Sequence, residues 1–136
     1  MAKRRTKTED EAKDPEAKVV IARQGLRYQI LRLIYDLADG STERSVNVSS
    51  INAAEKLSYS TLEQVLGYLR DEKLIQAPEY SISRVYLRHK GLVELEKAIL
   101  HPSAGTEHFS SAVTAAYARN SAGHAKGMRI VPASGE

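Results

Sequence analysis

The chain has no cysteine, which removes disulfides, thiolate nucleophiles and every zinc site built on sulfur. No apolar run approaches the roughly 20 residues that span a bilayer. The opening MAKRRTKTEDEAKDPEAK has no apolar stretch of the kind a secretory signal needs. A cytoplasmic protein with no membrane contact is the expectation. Charge of one sign is also missing: 20 basic side chains face 17 acidic ones, for a net of +3. The excess is spread evenly, with 6 against 5 in residues 1–18, 11 against 10 in 19–101 and 3 against 2 in 102–136. So mild a bias does not by itself announce nucleic-acid binding.

Catalytic signatures are absent too. There is no glycine-rich phosphate loop, no G-x-S-x-G and no H-E-x-x-H. Glu94 and Glu96 are two residues apart on a predicted helix, so they point to different faces and do not form an acid–base pair. His101, His108 and His124 fall at irregular spacing without cysteine or a matched carboxylate, and read as solvated surface residues. The expectation is therefore no enzyme, no cofactor and no metal. No internal repeat is visible.

What is present is enough for one small domain. Of 136 residues, 42% are apolar, so a modest core is feasible. Residues 1–13 are charged, lack apolar anchors and read as a disordered arm. Asp14-Pro15-Glu16 starts a helix, with Asp as cap, Pro in the first turn and Glu beside the helix's positive end. Leu26, Ile30, Leu33, Ile34 and Leu37 then recur at helical spacing, Gly25 marks a weak point, and Gly40-Ser41 closes the helix.

Val46 and Val48 suggest a short strand pairing with a later hairpin. A short helix ends near Leu57, Ser58-Tyr59-Ser60 makes a turn with Ser60 as cap, and a second helix runs from about Thr61 to Lys73. Leu62, Val65, Leu66 and Leu69 form its inner face. Leu74–Ala77 and Arg84–Leu87 read as two strands around a tip at 78–83, and a last helix follows Gly91, with Leu92, Leu95 and Ile99 at i, i+3 and i+7, stopping before Pro102. Residues 14–101 form the domain, and 102–136, punctuated by glycine and proline among serine and alanine, read as a flexible C-terminal tail. The fold class is mainly α with a small β-hairpin (α+β).

The stretch AAEKLSYSTLEQVLGYLRDEKLI, the Ser60-Thr61 pair opening its second helix and YLRHKGLVELEKAI together resemble the winged helix-turn-helix family. The pattern is similar to small bacterial transcriptional regulators of the multiple-antibiotic-resistance type, over roughly Gln24 to Leu100. In that resemblance Ala54 is the small residue that lets two helices approach. The chain departs from the family in three places: Lys73 stands where relatives often have glycine, Arg88 where they often have threonine capping the last helix, and the recognition helix is poor in positive charge, with Glu63 near its start and Asp71-Glu72 near its end.

The resemblance implies a recognition helix in the major groove of double-stranded DNA and a wing on the backbone. Tyr59, Ser60, Thr61, Gln64 and Tyr68 are then the base-contacting candidates. Glutamine can pair bidentately with adenine, and hydroxyls can serve bases or phosphates. For Tyr59 and Tyr68, half-buried packing is an equally good reading. Arg84, Arg88, His89 and Lys90 are the phosphate-contacting candidates, against a solvated face that screens the hairpin edge. Two half-sites imply a homodimer through the first or last helix, where Leu92, Val93, Leu95, Ile99 and Leu100 offer apolar surface. The second reading is a protein–protein interaction module without DNA, in which Glu107-His108-Phe109 and Met128–Val131 of the tail engage a protein partner.

Overall fold

A computed structural model describes residues 14–77 and 83–128. The charged arm at 1–13, the hairpin tip at 78–82 and residues 129–136 lie outside the described residues.

Helix α1 spans Pro15–Leu37 and starts as its sequence requires. Asp14 is extended, and its side chain accepts a hydrogen bond from the Glu16 N–H at 3.0 Å. Gly25 does not interrupt the helix. The helix ends where Asp39 turns left-handed (φ 56°) and the Gly40 N–H donates to the Tyr35 carbonyl at 2.9 Å.

Strand β1 (Ser45–Asn47) leads directly into helix α2 (Val48–Glu55). Helix α3 follows at Tyr59–Asp71. Its cap is Ser58, not Ser60. The Ser58 hydroxyl accepts from the Thr61 N–H at 3.1 Å and donates to Thr61 Oγ1 at 2.8 Å. The helix therefore begins two residues earlier than expected, and Tyr59 and Ser60 sit within its first turn. It closes with Lys73 in the left-handed region (φ 67°) and the Leu74 N–H on the Leu69 carbonyl at 2.9 Å. That is the glycine-type helix exit achieved with a lysine.

Strands β2 (Ile75–Gln76) and β3 (Arg84–Leu87) complete an antiparallel sheet of order β1-β3-β2. The pairs Val46↔Val85 and Ile75↔Leu87 face the core, while Asn47↔Arg84, Ser45↔Tyr86 and Gln76↔Tyr86 face outward. Helix α4 (His89–Leu100) starts before Gly91, not after it. Gly91 packs so closely on the Leu74 carbonyl that a Cβ there would stand 2.2 Å from its oxygen. Only glycine fits that approach.

The core gathers around α1: Tyr28, Ile30, Leu31 and Ile34 meet Ile51, Leu62, Leu66, Leu69, Leu74, Val85 and Leu95, all buried. Ala54 is not a helix–helix contact. It is exposed, and Val48 and Ile51 are the buried positions of α2.

The expected flexible tail is corrected over most of its length. Residues 102–110 form an ordered loop, and helix α5 (Ser111–Met128) packs along α1. Phe109, 1% exposed, meets Tyr28 edge-on at 5.1 Å, and Tyr117 meets the same ring at 5.1 Å. Val113 is buried between them in sequence, and the buried Thr114 hydroxyl donates to the Pro102 carbonyl. Burying an aromatic or aliphatic side chain of this size contributes roughly 1.5–3 kcal/mol, so these anchors suffice to hold a helix otherwise rich in alanine. Of the tail peptides proposed for a partner, Phe109 is therefore in the core, and 129–131 lie outside the described residues.

Candidate nucleic-acid interface

Helix α3 has two unlike faces. Leu62, Val65, Leu66 and Leu69 are buried, whereas Tyr59, Ser60, Glu63 and Gln64 are exposed, Tyr59 by 61%. The stripe that packs α3 on α1 thus leaves a polar face directed to solvent. Thr61 is half-buried, and its hydroxyl is engaged by Ser58. Tyr68 departs further from the expected role. It is half-buried against the core, with the Arg27 guanidinium 4.0 Å above its ring, a contact that joins α1 to α3. Of the five base-contacting candidates, Tyr59, Ser60 and Gln64 form the open set.

A cleft of about 400 Å³ joins α2, the start of α3 and the base of the hairpin. It is lined by Asn47, Ser49, Asn52, Tyr59, Leu62 and Ser83. Asn52 is the member that sequence reasoning missed: its Oδ1 is buried without a hydrogen-bond partner. A polar residue on a short amphipathic helix carries no signal that separates this position from an ordinary half-exposed one.

The phosphate-contacting candidates divide in two. Arg84 and Tyr86 of β3, and the extended Arg88 just beyond it, alternate outward with Val85 and Leu87 inward. Arg84 and Arg88 therefore share a face but stand roughly 13 Å apart, at about 3.3 Å per residue. Arg84 is tethered beside β1, its Nη1 donating to Ser45 Oγ at 3.2 Å. Arg88 instead lines a groove of about 450 Å³ with Arg70, Lys73, Gln76 and Asp71. Arg70 lies 3.4 Å from Asp71 there, an exposed pair that contributes little to stability. His89 and Lys90 are exposed in the first turn of α4. Arg88 occupies the cap position of that helix without a side-chain cap bond, as expected of a guanidinium that only donates.

The chain matches no family model, no curated protein and no solved structure.

Among the histidines, His101 is exposed as expected, but His108 is not a solvated surface residue. Its side chain is 6% exposed, with Nε2 3.1 Å from Glu72 Oε1 and Nδ1 3.4 Å from Glu94 Oε2. Glu94 is itself buried. The side chain of His124 lies outside the described residues. Among the described residues, no helix is long and apolar enough to cross a membrane.

Proposed function

We propose that the protein is a winged helix-turn-helix DNA-binding regulator, with α3 as the recognition helix and the β2–β3 hairpin as the wing. The order α1-β1-α2-α3-β2-β3-α4 with sheet order β1-β3-β2 supports the winged arrangement. The observation that carries the functional reading is the junction of α2, the exposed start of α3 and the hairpin base around one concave surface. A major groove about 12 Å wide admits a helix presented in that way. Tyr59, Ser60 and Gln64 then face bases, while Arg84 on one side and Arg88, Lys73 and Lys90 on the other straddle the backbone.

The net charge of +3 and the presence of Glu63 on the exposed face of α3 favour modest affinity per protomer and two half-sites read by a homodimer. Apolar surface for such pairing remains at Leu37 (42% exposed), Ile99 (38%) and Leu100 (71%). Leu95 is spent in the core, and Leu92 packs against it. The same acidic residue favours the second reading, a protein-docking module that never touches DNA.

Fluorescence anisotropy with random-sequence duplex DNA across a salt series tests the proposal. Binding should weaken steeply with salt. The double variant Arg84→Ala/Arg88→Ala should flatten the slope of log K against log salt by about 0.9 per lost phosphate contact. An unchanged slope removes the wing assignment. No binding at low salt removes DNA altogether and leaves the docking module.

A further inference from the structure

We infer that His108, Glu94 and Glu107 form a binding site for a divalent transition-metal ion of the zinc class. The three side chains come from two separate segments, α4 and the loop that precedes α5. Each offers a ligand atom, and these atoms lie within 4.8 Å of one another. A fourth residue, Glu72 at the end of α3, holds the imidazole from behind. Its Oε1 stands 3.1 Å from His108 Nε2.

The geometry around Nδ1 can seat an occupant. In the tautomer that carries its hydrogen on Nε2, toward Glu72, Nδ1 presents a bare lone pair. That lone pair is buried and has no hydrogen-bond partner. It faces Glu94 Oε2 at 3.4 Å, so two electron-rich atoms oppose each other away from water. The other oxygen of Glu94 accepts only a long hydrogen bond from the His108 N–H, at 3.4 Å. Among the described residues, no lysine or arginine forms an ion pair with Glu72, Glu94 or Glu107. A cation between Nδ1 and the carboxylates removes the opposition.

The donor set selects the ion. Imidazole nitrogen with carboxylate oxygens suits zinc and its neighbours, whereas calcium takes six to eight oxygens. Zinc–ligand bonds of about 2.0–2.1 Å place tetrahedral neighbours roughly 3.3 Å apart, close to the observed separation of Nδ1 and Oε2. A metal-bound histidine whose other nitrogen donates to a carboxylate is the usual outer arrangement, and it sets which nitrogen is free. The ion would pin the loop leading to α5 onto α4 and, through Glu72, onto the exit of α3. It is independent of the DNA reading.

The test uses the full chain, stripped with chelator and titrated with zinc chloride alone at neutral pH, read by native mass spectrometry and calorimetry. The expected result is one ion per chain at micromolar or tighter affinity, with a rise in melting temperature that calcium does not reproduce. Glu107 is exposed, so Glu107→Gln should fold normally and bind at least tenfold more weakly. Glu72→Gln should weaken binding about 10–100-fold, as expected for a partner behind a ligand. His108→Ala should abolish it. Two results overturn the site: no stoichiometric zinc on the unmodified chain, or affinity unchanged by both Glu107→Gln and His108→Ala. A nitrogen-15 spectrum with protons on both His108 nitrogens in zinc-containing buffer would also do so, since a proton would then fill the place assigned to the metal.

Discussion

Helices α3 and α5 both lie against α1, but they are held there in opposite ways. Four consecutive inward positions of α3, Leu62, Val65, Leu66 and Leu69, are buried, so the loss of any one contact is shared by its neighbours. Among its described side chains, helix α5 hangs on Phe109, Val113 and Tyr117, spaced four residues apart, and on the hydroxyl of Thr114. The dense stripe leaves a whole polar face free for another molecule. The sparse one concentrates the attachment of a helix in a few side chains. A helix can thus be fastened by quantity of apolar contact or by the placement of a few large groups.

The most damaging way to break this comparison is Phe109→Ala. It should cost about 3–5 kcal/mol, the usual range for emptying a buried aromatic position. Amide exchange should rise across α5 while α3 stays protected. Equal loss of protection in both helices would mean that they are fastened alike. Next is Gly91→Ala, which drives a methyl group into the Leu74 carbonyl. A loss of about 1–3 kcal/mol is expected from such overpacking, read by denaturant titration. It should act at the α3–α4 joint and leave the aromatic contacts of α5 intact.

The Tyr28 ring that receives both Phe109 and Tyr117 gives a pH test. Burial raises its phenol above the ordinary 10.0, with Arg32 opposing the rise. The folded state therefore favours the neutral form. Its contribution is fully present below pH 10.0 and is lost as pH rises through the folded value. Melting temperatures should fall on the alkaline side, and Tyr28→Phe should flatten that fall. Parallel curves for the two proteins would show that the ring's ionisation is unimportant. The smallest effect belongs to the exit of α3. Lys73→Gly relieves a left-handed residue with a side chain and should stabilise by about 1 kcal/mol, measured by thermal melting.

Much of the domain could be read along the chain. Asp14-Pro15-Glu16 opens α1 because the capping chemistry is local. The leucines of α3 mark its inner face because helical spacing alone puts them on one side. Val46 paired with β3 as expected. The cap of α3 was misplaced because Ser58 and Ser60 are equally good acceptors, and only the backbone path chooses between them. Ala54 was assigned to packing by resemblance, whereas its own face of α2 is open. The missed attachment of α5 did have a signal, Phe109-x3-Val113-x3-Tyr117, but three residues among alanines and serines fall short of the usual apolar stripe.

The candidate interface was less legible than the helices. Exposure of Tyr59, Ser60 and Gln64 follows from the phase of α3, yet the same phase could not show that Arg27 covers Tyr68. The separation of Arg84 from Arg88 follows from a four-residue strand. That Arg88 joins Arg70 and Lys73 does not, because it depends on how α3 and β2 meet.

By itself, the sequence determined the start of α1, the inner face of α3 and the two hairpin strands, since caps, spacing and alternation act over a few residues. Only the tertiary structure decided that α5 belongs to the core and that His108 lies between Glu72 and Glu94. Those residues are 36 and 14 positions from His108 along the chain. No local pattern encodes a contact made between α3, α4 and the loop before α5 only once each has found its place on the others.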